Sequence, residues 1–219
     1  MLLQNYTDKK EITALYNETI DDNKHHIEAL NRIIKESGEA LEGNVFYEHH
    51  CQDFSLNGNF QNKRYNLFYH GMMALDILEI GFNAGHSALL YLISNPYSKI
   101  HFFDLGEHAY SRGCFEYLSQ QFPGRMSVTW GDSTVTIPAH SPVSIFDLIH
   151  IDGGHSRYVA ESDFYNCRPF ANENTYLIVD DYDGPILTPL CNQFVRYNKV
   201  DKVDLLFYTQ HHILFQYKL

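Results

Sequence analysis

Two stretches of this sequence end in acids that directly follow apolar residues. Phe146-Asp147-Leu148-Ile149-His150-Ile151 runs into Asp152-Gly153-Gly154-His155, and Leu177-Ile178-Val179 runs into Asp180-Asp181-Tyr182-Asp183. Short apolar runs of this kind read as strands buried on both faces. If the two strands are neighbours, Asp152, Asp180 and Asp181 meet at one sheet edge. Carboxylates that close repel one another at neutral pH. A divalent cation relieves the repulsion, and hard oxygen donors suit Mg2+, Ca2+ or Mn2+. Without a metal, the same aspartates would cap helices and turns. His155 lies three residues after Asp152, and its imidazole titrates near neutrality. His150 reads as a buried strand histidine rather than a ligand.

A second constellation is Glu79-Ile80-Gly81-Phe82-Asn83-Ala84-Gly85-His86-Ser87. Gly81 and Gly85 let the chain turn sharply and approach a ligand. The helix that opens here offers unpaired N–H groups and the positive end of its dipole, which suit a carboxylate or a phosphate. The spacing is G-x-x-x-G, not the G-x-G-x-x-G of dinucleotide enzymes. Asn83 stands where a middle glycine often lies. Taken alone, the segment is also explained as a tight strand-to-helix turn. Its context says more. Asp104, with Leu105 beside it, ends a second strand, where an acid would meet ribose hydroxyls. Gly131-Asp132-Ser133 ends a third, from which an adenine edge could be read. The competing roles are a helix N-cap for Asp104 and a turn aspartate for Asp132.

These residues need a scaffold, and the periodicities supply one. Leu75–Ile80, Lys99–Asp104, Met126–Trp130, Phe146–Asp152 and Tyr176–Asp180 are expected strands. Ser87–Ser94, Ser111–Gln121, Ser156–Phe170 and Leu187–Tyr197 are expected helices, the last with Pro189 in its first turn. Asp204–Thr209 and Ile213–Tyr217 could close the chain as a hairpin. The alternation predicts an α/β fold: a Rossmann-like, doubly wound, mostly parallel sheet of about seven strands with a C-terminal antiparallel hairpin, plus N-terminal helices. Residues 1–62 are expected to be N-terminal helices and a lid segment, and 63–219 the main domain. Ile12, Leu15 and Tyr16, then Ile27, Leu30, Ile33 and Ile34, predict two helices broken at Asp21-Asp22-Asn23. Residues 44–62 read as a loop or lid, and 63–74 as a helix.

The Glu79–Ser87 segment resembles motif I of the class I S-adenosylmethionine (SAM) dependent methyltransferases. It is most similar to the metal-dependent, catechol-type O-methyltransferases and their antibiotic and sugar O-methyltransferase relatives. These carry E-[IL]-G-x-x-x-G-x-S, which Glu79, Gly81, Gly85 and Ser87 match. The resemblance covers residues 75–185. It implies that the turn, with Phe82 and Asn83, holds the methionine end of SAM, with Ser87 near its carboxylate. It implies Asp104 and Leu105 at the ribose, Asp132 and Ser133 near the adenine, and Asp152 beside the cofactor. It implies Mg2+ or Mn2+ on Asp152, Asp180 and Asp181, orienting the acceptor oxygens. His155 stands where the catechol-type enzymes have a lysine base. Histidine is competent in that role, but the change leaves a sugar or other small-molecule hydroxyl as open as a catechol.

Composition narrows the partners. Sixteen Lys+Arg against 27 Asp+Glu give a net charge of −11, which argues against a nucleic-acid partner. Lys63-Arg64 forms one small basic pair. Cys51, Cys114, Cys167 and Cys191 form no C-x-x-C pair, so a reduced, cytoplasmic setting is expected rather than a disulfide framework. No apolar run reaches the ~18 residues of a membrane span, and no membrane partner is expected. A homo-oligomer is compatible with the sequence. The pairs His25-His26, His49-His50 and His211-His212 read as surface or lid residues, with His49 or His50 within conceivable reach of the pocket. The expected activity is metal-assisted O-methylation of a small-molecule or sugar hydroxyl. The alternatives are a metal-independent N- or O-methyltransferase and a SAM-binding, non-catalytic partner subunit.

Overall fold

The structure, a computed structural model, describes residues 8–48, 54–140 and 144–218. The elements in chain order are α1 (Lys9–Ser37), α2 (Gln61–Met73), β1 (Asp76–Ile80), α3 (His86–Ser94), β2 (Lys99–Asp104), α4 (Ser111–Gln121) and β3 (Met126–Trp130). They continue with α5 (Ser133–Ala139), β4 (Leu148–Ile151), α6 (Arg157–Cys167), β5 (Tyr176–Val179), α7 (Leu187–Arg196), β6 (Val200–Val203) and β7 (Ile213–Tyr217). The chain divides into two units. One comprises the described residues of 1–74 with 82–99 and 106–126, and so contains α1 to α4. The other comprises 75–81, 100–105 and 127 onward, and contains the body of the sheet with α5 to α7.

In the second unit the seven strands run in the order β3-β2-β1-β4-β5-β7-β6. β1, β4 and β5 are parallel neighbours, while β7 runs antiparallel to both β5 and β6. The strand order reverses between β1 and β4, which is where open α/β sheets bind ligands. The expected Rossmann-like mixed sheet is therefore present. Leu78, Ile80, Ile149, Leu177 and Phe215 bury one sheet face together with Phe164 of α6 and Phe194 of α7. Those two rings stack with centroids 3.5 Å apart. Asp147 lies just before β4 and accepts from Leu75 N and Asp76 N at 2.8 and 3.1 Å, tying down the start of β1.

Three expectations change. The hairpin begins at Val200–Val203, because Val203 pairs with Leu214 and leaves 204–212 as the connecting loop. Ser133–Ala139 is a helix, which the sequence pattern does not separate from the strand end before it. The N-terminal stretch is one helix of 29 residues, not two. Ile12 and Leu30 are both buried and five helical turns apart, so the apolar stripe stays in phase through Asp21-Asp22-Asn23. Asn23 donates to Thr19 O at 2.8 Å within the helix.

In the first unit, α1 starts on Asp8, whose side chain accepts from Lys10 N, and stops at Gly38 in the left-handed conformation. Tyr16 packs edge-on against Tyr65 and Phe68 of α2. Lys63 and Arg64 are buried, so they form no basic surface. Arg64 donates to the carbonyls of Val45, Asn57 and Phe46 at 2.9, 3.1 and 3.4 Å. Tyr47 bridges to Leu56, and Asn44 Oδ1 accepts from the amides of Phe46 and Tyr47. The base of the expected lid is thus a closed, internally bonded loop. Its middle, with His49, His50 and Cys51, lies outside the described residues.

Candidate active site

Within the sheet unit, one edge collects the residues that follow the strands. Gly81 N donates to Phe103 O, Gly131 N to Asp104 O, Asp152 N to Ile80 O and Asp180 N to Ile151 O, at 2.8–2.9 Å. Each bond fixes the end of one strand against its neighbour. Gly81 has φ +96°, and a Cβ on it would lie 2.1 Å from the carbonyl oxygen of Asp152. Glycine is required there by the neighbouring backbone as well as by the turn itself. Glu79 does not sit open at the edge. It is wholly buried and pairs through Oε1 with His150 Nδ1 at 3.0 Å, as the Glu79↔His150 register dictates.

The residues expected at the nucleoside end, Asp104, Leu105, Asp132 and Ser133, lie at or just after the ends of β2 and β3. Asp104 closes β2 half-buried, and Leu105 beside it is 53% exposed. Asp132 is the N-cap of α5, accepting from Thr134 N at 2.9 Å and Thr134 Oγ1 at 2.7 Å. That carboxylate has a structural duty whatever else it meets. Ser133 opens α5.

The acids after β4 and β5 come together. Donor atoms of His150, Asp152 and Asp180 lie within 4.8 Å of one another, as do those of Asp152, His155 and Asp181. His155 Nε2 meets Asp181 Oδ2 at 2.7 Å. A small recess is lined by Asp152, His155, Asp180 and Asp181. Asp181 holds φ +49°, and the turn it starts is fixed by Gly184 N to Asp181 O and Tyr182 N to His211 O.

Two neighbours escape the sequence reading. His212, expected at the surface, is buried with its Nδ1 3.9 Å from Asp180 Oδ1. Strand pairing is the signal that locates it: Ile213 pairs with Val179, so the residue before one lies beside the residue after the other. Asp163 of α6 is buried too, and neither oxygen has a hydrogen-bond partner among the described residues. Burial pushes its carboxyl up to about 6, with the Ser133 side chain partly offsetting the rise and the Asp132 charge adding to it. His26, from another pair expected at the surface, is buried in the helical unit against Tyr117.

The rest of the glycine turn belongs to the helical unit. Phe82 is buried edge-on against Phe115, and Gly85, at φ +77°, leaves no room for a Cβ beside the Phe82 ring. Ser87 is buried in the first turn of α3. His86 packs against Phe46 and Tyr47, and burial pulls its imidazole down to about 4. Asn83 adopts φ +51° with its side chain turned to other protein groups.

Solved structures with this architecture include a putative caffeoyl-CoA O-methyltransferase from Staphylococcus aureus, at 14% identity and TM-score 0.61, over 93% of this chain and 99% of that one. The S-adenosylhomocysteine-bound methyltransferase PaMTH1 of Podospora anserina aligns at 16% identity and TM-score 0.58, over 74% and 80% of the two chains. TomG, a SAM-bound O-methyltransferase of tomaymycin synthesis from Streptomyces achromogenes, aligns at 16% and 0.54, over 72% and 79%. No curated protein sequence matches the chain. The fold shared with these structures is that of the class I methyltransferases. Residues 78–182, just under half of the chain, match the family Methyltransf_24, a methyltransferase domain. Among the described residues no helix is long and apolar enough to cross a membrane.

Proposed function

We propose that the protein transfers a methyl group from SAM to a hydroxyl of a small molecule or sugar, with a divalent ion at the acid cluster. The observation that carries this reading is the meeting of Asp152 with His155 and Asp181, and with His150 and Asp180, at the ends of two adjacent strands. The donor chemistry fits a divalent ion: carboxylates dominate, and imidazole nitrogen beside them suits Mn2+ as well as Mg2+. Asp152, Asp180 and Asp181 would hold it, and bound there it would lower the pKa of an acceptor hydroxyl. SAM supplies an activated methyl on its sulfonium.

The chain's own residues do the remaining work. Gly81 and the opening of α3 receive the methionine end, with Ser87 near its carboxylate. Asp104 and Leu105 take the ribose, and the start of α5 at Asp132 and Ser133 borders the adenine. Asp181 accepts from His155 Nε2–H and so fixes the imidazole, which takes the acceptor proton at Nδ1. Much of the rate then comes from holding donor and acceptor in line. The 2.7 Å pair of His155 and Asp181 also supports a second reading, a metal-independent transferase, because that dyad is complete without a cation.

Calorimetry with S-adenosylhomocysteine tests the root of the reading, and absence of binding would refute it. Exhaustive chelation and Asp152→Asn then divide the two mechanisms. The metal-assisted reading expects turnover on a hydroxyl panel to fall at least ~100-fold in both, with the melting temperature of Asp152→Asn held. Full activity after chelation selects the metal-independent dyad.

A further inference from the structure

Asn83 is the one polar side chain in the Gly81–Gly85 turn, and the structure commits all of its hydrogen-bonding groups. An asparagine amide offers two N–H donors and one carbonyl acceptor. Nδ2 donates to the carbonyls of Glu42 and Gly43, the second at 2.6 Å, and Oδ1 accepts from the Tyr110 hydroxyl at 2.7 Å. The Tyr110 oxygen in turn accepts from Glu42 N at 3.3 Å. Four residues before Gly43 the same stretch of chain is held again. Glu39 accepts from Ala109 N and meets His108 Nδ1, both at 2.6 Å, while His108 stacks on the Tyr110 ring at 5.0 Å. One amide thereby joins three stretches far apart in sequence: 39–43, the glycine turn and 108–110. The Asn83 side of the turn and both other stretches belong to the helical unit.

With both N–H donors spent and the oxygen already accepting a bond, the side chain is held by the protein. Glu42 and Gly43 are exposed even though they are fastened to the turn, so they stand beside it as a surface and not as core. The backbone makes the arrangement specific. Asparagine tolerates the left-handed conformation that residue 83 adopts, and it alone among the tolerant types supplies two donors for two carbonyls.

We infer that Asn83 is a positioning residue: its amide fastens Glu39–Gly43 onto the turn, and that segment forms one wall of the subsite for the methionine end of SAM. This rests on the SAM reading above. It replaces the expectation that the Asn83 side chain touches the cofactor. The segment after α1 then serves cofactor binding, in place of a role confined to the acceptor.

The test uses the full chain and S-adenosylhomocysteine. Asn83→Gly keeps the φ without strain and removes the amide. Tyr110→Phe removes the one bond to Oδ1 and leaves both Nδ2 bonds in place. In the wild type, S-adenosylhomocysteine should slow hydrogen exchange in residues 39–43. In Asn83→Gly that protection should vanish and the affinity should fall at least ~10-fold, with Tyr110→Phe between the two. A structural role alone would lower the melting temperature but leave the affinity of the folded protein unchanged, and that result overturns the inference. So does wild-type protein that binds the ligand without protecting 39–43. If Asn83→Gly does not fold, unchanged affinity in Tyr110→Phe together with unprotected 39–43 in the wild type is the overturning result. Failure of the wild type to bind S-adenosylhomocysteine would instead refute the SAM reading itself, and this inference with it.

Discussion

Replacing Asp163 by asparagine should change how stability depends on pH. The wild-type carboxyl is moved from an ordinary 3.8 to about 6, mainly by burial. Between those values the unfolded chain is ionised while the folded chain keeps its proton. The folded state then binds more protons, so this group's contribution is full below 3.8 and is lost as pH rises through about 6. Above that, the buried charge costs about 3 kcal/mol, at ~1.4 kcal/mol per pH unit. Roughly half of this loss, about 1.4 kcal/mol, develops between pH 5 and pH 8 on the same linkage relation. The amide of the variant does not titrate. It is left without partners, at a cost of about 1–3 kcal/mol that does not vary with pH. The absolute stabilities can therefore fall either way, but their difference must move. Urea denaturation of both proteins at pH 5 and pH 8 reads it: relative to the wild type, Asp163→Asn should gain ~1.4 kcal/mol on going to pH 8. A difference that stays constant across that range would refute the assignment of a buried, raised carboxyl.

Gly81→Ala should destabilise the chain by about 3 kcal/mol in urea denaturation. The left-handed backbone costs ~1–2 kcal/mol, and forcing a methyl against a backbone oxygen costs ~1–3 kcal/mol more. A stable variant would mean that β1 and β4 can part at their ends. Arg64→Met keeps the apolar stem but removes the guanidinium that bonds the carbonyls of Val45, Phe46 and Asn57, of which the last two keep a backbone donor. It should cost about 2–4 kcal/mol and make the 44–57 loop the first site of limited proteolysis. Cleavage elsewhere at wild-type rates would show that the loop stands without the arginine.

Strands are legible where burial makes them mostly apolar, as at Ile77–Ile80, Leu148–Ile151 and Leu177–Val179. β6 escapes because its own residues, Val200-Asp201-Lys202-Val203, are half charged, while the apolar Leu205-Leu206-Phe207 nearby looks more like a strand. An edge strand with one exposed row needs no such run. α5 is hidden because Ser-Thr-Val-Thr-Ile-Pro-Ala is a poor helix by propensity. The Asp132 cap and packing on α6 hold it. Asp152, Asp180, Asp181 and His155 can be found in the sequence because the chemistry lies directly after the strands that carry it. Asp163 and His212 cannot, since each reaches the region from an element whose placement only the assembled sheet defines. The partner of Asn83 is hidden for the same reason, some forty residues away in the chain.

The contact between Gly81 and Asp152 limits what redesign, natural or deliberate, can reach. Because the backbones touch with no space for a methyl, the turn after β1 and the loop after β4 cannot be varied independently. A lineage that acquired a side chain at residue 81 would have to re-route the loop that carries Asp152 in the same step. New acceptor preferences are therefore most accessible elsewhere. The 204–212 connection reaches the acids through His211 and His212 without sharing that contact, and changes of acceptor should accumulate there while the two loops stay fixed together.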